Sequence, residues 1–178
     1  MKYLDESGCC LESPVSYSYA PIGEQKCLEQ LKSYGERISI LGVWQPDQSF
    51  DYALVQGSFN KERYVKVMNW IAQKSEQTLN KTGRITVIIQ DNSSPHTSHL
   101  AREHWQQWQS LGLYLFFLPQ YSSQMNLIEA QWHQLKTHEI AGRIFDNEYD
   151  LATAIIEGMK SRSQQGGWTL ERLMFKSA

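Results

Sequence analysis

Asp5, Asp91 and Glu129 are the residues whose type and placement could do chemistry. Asp5 directly follows a short apolar opening, Met1–Leu4, and Asp91 directly follows Arg84–Gln90 (RITVIIQ), a β-branched run. In open α/β sheets ligands gather beyond the carboxyl ends of the strands, so both acids stand where a ligand would arrive. Glu129 falls in the first turn of a helix opened by Asn126, beside an apolar stripe of Ile128, Trp132 and Leu135. Its own stripe continues to His133 and Lys136, four and seven residues on. Carboxylates are hard oxygen donors and suit Mg²⁺ or Mn²⁺ better than softer metals. Each acid also has a purely structural reading. Asp91 could solvate the loop before Pro95, Asp5 could be an ordinary strand-end acid, and Asn126-Leu127-Ile128-Glu129 resembles a capping box. Spacing alone leaves both readings open.

The elements that must hold these residues can be read from periodicity. Arg37–Trp44 (RISILGVW) and Asp51–Gln56 (DYALVQ), separated by Gln45-Pro46-Asp47-Gln48, predict an antiparallel hairpin. From Asn60 to about Leu79 the apolar residues Tyr64, Val67, Met68 and Ile71 repeat at helical spacing. Arg84–Gln90 and Leu113–Leu118 (LYLFFL) are apolar on both faces and predict strands covered on both sides. Between them Ser94-Pro95 reads as a helix start, Leu100, His104, Trp108 and Leu111 as one helix face, and Gly112 as its stop. Strand, helix and strand with short joints make a βαβ unit with parallel strands. Asn126 opens a helix to about Glu139, and a last helix near Glu148–Lys160 precedes a Ser/Gln/Gly-rich loop, Ser161–Gly167, and a short tail. The predicted fold is α/β, a mixed five-stranded sheet flanked by helices. A helical extension would occupy 144–178, after the part that holds the sheet.

Composition bounds the rest. At 41% hydrophobic and 20% charged over 178 residues, the chain is long enough for one packed domain. Its longest strongly apolar stretch, Leu111–Pro119, is about half of what a membrane span needs, and the charges at Asp5 and Glu6 break any signal-peptide pattern. The expectation is a cytoplasmic protein with Cys9, Cys10 and Cys27 reduced. A formal charge of −2 gives no basic excess of the kind that dedicated nucleic-acid modules carry. His96, His99, Glu103 and His104 look superficially like zinc ligands. Only His99 and Glu103 fall at i and i+4, and no second pair completes a set.

Leu4-Asp5-Glu6-Ser7-Gly8, Gln90-Asp91-Asn92 with His96, Leu118-Pro119-Gln120-Tyr121-Ser122 and Asn126-Leu127-Ile128-Glu129-Ala130-Gln131-Trp132 together carry a resemblance. In this order, and with 37 residues between Asp91 and Glu129, they resemble the catalytic domain of mariner-superfamily insertion-sequence transposases. These are DDE endonucleases of the ribonuclease-H-like, retroviral-integrase superfamily. The resemblance covers residues 1 to about 143. Ser123 and Leu127 stand where the family usually has prolines, which loosens the loop and helix entry that aim Glu129. Family members also carry helix-turn-helix domains ahead of the first catalytic strand, whereas Met1 here begins inside that strand.

The resemblance implies a two-metal phosphodiester chemistry with Mg²⁺ or Mn²⁺. Asp5 would bridge both ions, and Asp91 and Glu129 would each complete one site. Hydrolysis at the element end would be followed by strand transfer into target DNA. Asn92, His96, His133 and Lys136 are candidate DNA contacts, with His96 alternatively steadying the loop. Implied partners are transposon ends, target duplex, further copies of the chain and a helix-turn-helix polypeptide or lost domain, on DNA in the nucleoid. A non-catalytic remnant that binds DNA or another subunit, and a stand-alone ribonuclease-H-like nuclease, are the alternatives. Without a basic arm the chain alone would bind duplex DNA weakly, through phosphates. Three carboxylates held together without metal repel one another, so Asp91→Asn is expected to stabilise the metal-free fold.

Overall fold

The computed structural model describes residues 1–12, Ile22 and 37–175. Cys27, and all of the polar stretch Ser13–Glu29 except Ile22, lie outside them. The hairpin forms as expected. Strand β2 (Arg37–Gln45) pairs antiparallel with β3 (Ser49–Gln56), and Gln48 closes the turn onto the Gln45 carbonyl at 3.1 Å, with Asp47 left-handed at φ 57°. The first strand, β1 (Lys2–Cys10), is longer than Met1–Leu4 and pairs antiparallel with β2 along eight residue pairs. Alternation along β1 buries Cys9 and exposes Cys10, both free thiols.

Helix α1 (Lys61–Thr82) starts at Asn60, whose side chain accepts from the Arg63 amide, and stops at Gly83, left-handed at φ 71°. Then β4 (Thr86–Gln90), α2 (His99–Ser110) and β5 (Leu113–Phe117) form the βαβ unit, with β4 and β5 parallel. The helix begins later than Ser94-Pro95. Residues Ser93–Thr97 make a turn, and Ser98 is the N-cap, accepting from the Ala101 amide at 3.2 Å. Helix α3 (Ile128–Leu135) runs on into a short π-helical turn, Lys136–Ile140, so Glu139 closes this segment nearly where expected.

Two expectations about the sheet need correction. It has six strands in the order β5-β4-β1-β2-β3-β6, because the tail forms β6 (Thr169–Leu173), parallel to β3. The stretch expected as a loop continues α4 (Glu148–Gly166), capped by Asn147 and ended by Gly167 at φ 68°. The described part of the region, 144–175, therefore holds a helix and a strand. Second, β5 is an edge strand. Its alternate residues Tyr114 and Phe116 are 40% and 56% exposed, so Leu113–Leu118 is covered on one face only. Burial on both faces falls instead on β2 and on Phe50–Ala53 of β3.

Both faces of the sheet are packed. On one, α1 and α2 cover Leu4, Leu41, Val43, Ile88 and Leu113 with Met68, Ile71 and Trp108. On the other, α3 and α4 cover Ile40, Phe50 and Tyr52 with Trp132, Leu135, Leu151 and Ile155.

Candidate active site

The sheet brings Asp5 and Asp91 together by register. β1 pairs parallel with β4 only at Lys2↔Ile88 and Tyr3↔Ile89. The same offset carried two residues further sets Asp5 beside Asp91, on one face. Asp5 thus lies inside β1 rather than after it, yet just past the point where its ladder with β4 ends. The third acid arrives on α3. Asn126 does not cap this helix. Its side chain is buried and donates from Nδ2 to the carbonyl of Leu4, the residue before Asp5, at 2.9 Å. The helix N-cap is Leu127, with no side-chain bond. Glu129, three residues after Asn126, is thereby tied to the strand that carries Asp5.

Asp5, Asp91 and Glu129 line one cleft of about 400 Å³, with Asn92, Ser93, Asn126 and the segment Leu118–Ser122. No Lys or Arg lines it. Burial, and then the charges of Asp91 and Glu129, push the Asp5 carboxyl up to about 6 against hydrogen bonds that favour its charged form. One of those bonds comes from Trp132 Nε1 to Oδ2 at 3.1 Å. Trp132 has room to reach Asp5 because Gly42 sits opposite Asp5 in the ladder, and a Cβ there would meet the Trp132 ring at 2.6 Å.

Asp91 is held differently. Its Oδ1 accepts from the Ser93 amide at 3.1 Å and lies 2.7 Å from His96 Nδ1. His96 is 1% exposed, stacked against Tyr64 with ring centroids 4.6 Å apart, and its Nε2 faces Glu6 Oε1 at 3.6 Å, too long for a hydrogen bond. Burial opposes protonation of His96, but the bond to Asp91 and the neighbouring Glu6 outweigh it and push the imidazole up to about 9. That imidazolium in turn lowers the Asp91 carboxyl. Behind this pair the Tyr64 hydroxyl donates to the buried Gln90 at 2.9 Å.

The four candidate DNA contacts separate. Asn92 lines the cleft and ties its two loops, donating to the Leu118 carbonyl at 2.6 Å. His96 faces inward, so steadying Asp91 is the role its position allows, and reaching DNA is not. His133 and Lys136 are exposed on α3 and the π turn and do not line the cleft. His99 and Glu103 form an exposed pair at 3.1 Å. Sequence reasoning missed Gly42, Glu6 and Trp132 as site residues. A lone glycine inside a β-rich run is a signal of close approach, and Gly42 in RISILGVW carries it. Trp132 reads as core from spacing, and its indole N–H adds a polar end that periodicity does not register.

Among the described residues no three His, Cys, Asp or Glu side chains surround a single point as ion ligands. The carboxylates stand around the cleft, with that of Asp91 turned to His96. The donor set nevertheless has the chemistry a hard cation needs: three carboxylate residues line one cleft that no Lys or Arg lines, and Asp5 is raised by burial and by the other two.

The sequence matches the family model of the DDE superfamily endonucleases over residues 1–152. The chain belongs to that family. A comparison with curated protein sequences gives no match. Among solved structures, the DDE chain is similar to the mariner Mos1 paired end complex with Mg, at TM-score 0.71 and 16% identity, over 92% of this chain and 49% of that one. It is similar to the Mos1 paired end complex with Mn at TM-score 0.64 and 16% identity, over 93% and 53%. The catalytic domain of Mos1 mariner transposase alone gives TM-score 0.56 at 14% identity, over 93% and 78%. At these identities the likeness is one of fold, and it bears out the ribonuclease-H-like architecture. The DDE chain spans about half the length of the Mos1 chains in the paired-end complexes. No helix among its described residues is long and apolar enough to cross a membrane.

Proposed function

We propose that this chain is the catalytic domain of a mariner-type DNA transposase, with Asp5, Asp91 and Glu129 as its metal-holding triad. The observation that carries the reading is that three carboxylates from β1, the end of β4 and the start of α3 line one cleft that no Lys or Arg lines. Asp5, Asp91 and Glu129 would hold Mg²⁺ or Mn²⁺, two ions per site, and such ions would supply neutralisation of charge on the leaving oxygen and an activated water. Trp132 holds Asp5 from the α3 side, His96 and the Ser93 amide hold Asp91, and Asn126 holds the entry of the Glu129 helix. In the first reaction a water oxygen bonds to phosphorus and the P–O3′ bond breaks, leaving a 3′-hydroxyl and a 5′-phosphate. In the second, that 3′-hydroxyl forms a P–O bond to target DNA while a target P–O3′ bond breaks. One bond replaces another, so no outside energy is needed.

Residues 1–143 would carry the chemistry, and 144–178 would complete its scaffold. Two element ends call for at least two copies on DNA in the cytoplasm, and end recognition falls to a helix-turn-helix partner or domain. Nicking of supercoiled plasmid by the full chain tests the reading. Nicking with Mg²⁺ or Mn²⁺ is expected, abolished by chelator and reduced at least a hundredfold in Asp91→Asn and Glu129→Gln. Metal-independent nicking, or variants as active as the parent, would overturn it. Cleavage of RNA–DNA hybrids with duplex DNA untouched would favour a ribonuclease instead.

A further inference from the structure

At the amino end of the parallel strands, opposite the acidic cleft, lies a second and larger concavity of about 690 Å³. It is bounded by the starts of β1, β4 and β6, the last turns of α1 and the β2–β3 turn. Four basic residues line it, Lys2, Lys74, Lys81 and Arg84, against one acid, Glu171. The remainder is mostly Gln, Ser and Thr side chains, which can donate hydrogen bonds. Lys2 and Lys74 are fixed in place by one buried carboxylate, Asp51, 1% exposed, which takes Lys2 at 3.1 Å and also pairs with Lys74. An ammonium has three donors. Lys2 has one on Asp51, while Lys74 has one on Asp51 and one on Glu171 at 3.1 Å. Lys81 and Arg84 are exposed, and among the described residues neither has a carboxylate within ion-pair distance. The groove therefore holds two cations more than its two carboxylates offset. The formal charge of −2 conceals this difference between the two clefts: one is lined by carboxylates with no Lys or Arg, the other by more cations than carboxylates.

We propose that this groove is a second DNA site, binding the phosphodiester backbone of duplex DNA away from the scissile bond. The choice of DNA over other polyanions rests on the transposase reading, whereas the anion chemistry rests on the groove alone. The five residues of β4 separate it from the cleft by about 15 Å, so it adds affinity and orientation and no chemistry. Binding through phosphates is sequence-independent and salt-dependent, with a slope of about −0.9 per phosphate contact.

The test is fluorescence anisotropy of the full chain with a labelled 30-base-pair duplex, in chelator, from 50 to 300 mM NaCl. Lys81→Glu/Arg84→Glu is expected to weaken binding at least tenfold at low salt and to flatten the log–log slope by about 2. Lys81→Gln/Arg84→Gln, which removes charge without reversing it at the end of α1, should give a smaller loss in the same direction, with melting temperatures confirming that both variants fold. Equal affinity and slope in parent and both variants, or no binding by the parent at 50 mM salt, overturns the proposal. Displacement of the duplex by inorganic phosphate at low millimolar concentration also overturns it, marking a small-anion site. Plasmid nicking at saturating DNA separates the two readings. Groove-dependent binding without metal-dependent nicking leaves the groove and removes the catalytic assignment, and nicking with groove-independent binding does the opposite.

Discussion

Asp5 and Asp91 are chemically alike and a few residues from the same loop, yet their surroundings drive them apart. Repulsion within the triad is concentrated on Asp5, whose carboxyl is raised to about 6 by burial and by its acidic neighbours. Asp91 is compensated by His96 and lowered. The expectation that Asp91→Asn relieves repulsion therefore moves to the other residue. In chelator at pH 7, Asp5→Asn should stabilise the fold by about 1–2 kcal/mol. Asp91→Asn should cost up to about 1 kcal/mol, because the lost charge-assisted bond is half exposed and screened. Thermal melts of the three proteins check this, and Asp91→Asn as the more stable of the two variants would contradict it. His96 adds a pH dependence. Its folded value, about 9, lies above the ordinary 6.5, so its stabilisation is complete below about pH 6.5 and disappears as pH rises through 9. In chelator the melting temperature should fall from pH 6.5 to 9, and His96→Gln should remove most of that slope. A parent and variant with parallel pH profiles would show that His96 is not the titrating group.

At the scale of the element, the site depends on how α3 is seated on β1. An N-cap would have fixed only where the helix starts. The Asn126 bond to the Leu4 carbonyl fixes where it sits, which matters more to Glu129 because the other two acids belong to the sheet. Asn126→Ala leaves that buried carbonyl without its donor and should cost about 1–3 kcal/mol. The same change loosens the distance between Asp5 and Glu129, and a displacement near 1 Å at a reacting centre costs on the order of a hundredfold in rate. Metal titration of nicking is the discriminating measurement. A helix merely less stable would lose activity only near its melting temperature, whereas a misplaced Glu129 raises the metal concentration needed well below it. An unchanged metal requirement at 20 °C would dismiss the positioning role. Gly42 belongs to the same device, since the space it leaves is what lets Trp132 lie between α3 and Asp5.

At the scale of the molecule, the sheet is closed on the β3 side by the last strand in the chain. β6 pairs with β3 from Ser49↔Thr169 to Ala53↔Leu173, and Trp168, ahead of it, packs on Phe50 with centroids 5.6 Å apart. Phe50 also touches Trp132 in an edge-on contact, so the tail supports the Asp5 side of the cleft through two aromatic rings. Removing residues 168–178 would bare the β3 edge and uncover Phe50. An exposed edge of this length invites pairing with other chains. The truncated protein is expected to lose several kcal/mol of stability in urea unfolding and to self-associate in sedimentation. A monomeric truncation with the parent's midpoint would mean that β6 is dispensable.

The residues themselves determined a good part of this. Apolar runs bounded by turn signals gave the β2–β3 hairpin and the β4–α2–β5 unit, and the helical stripe of Tyr64, Val67, Met68 and Ile71 gave α1. These signals are local, because which side chains share a face follows from backbone period alone. The acids Asp5, Asp91 and Glu129 were legible too, through strand ends and the company of Asn92, His96 and Asn126. The tertiary structure decided what depends on partners distant in the chain. Leu113–Leu118 has the apolarity of a covered strand but lies at an edge, since nothing in six residues states how many neighbours a strand receives. Thr169–Leu173 is too short and too polar to declare itself, and becomes a strand because β3 offers it a ladder. Asn126 had a local use, capping, and a distant one, the Leu4 carbonyl, and the buried acceptor won because leaving it unpaired costs more than an uncapped exposed helix end. His96 likewise became the inward partner of Asp91 and Glu6 only once β1 and β4 lay side by side. Charge sums gave −2, and only the fold lined one cleft with carboxylates and no Lys or Arg, and the other with more cations than carboxylates.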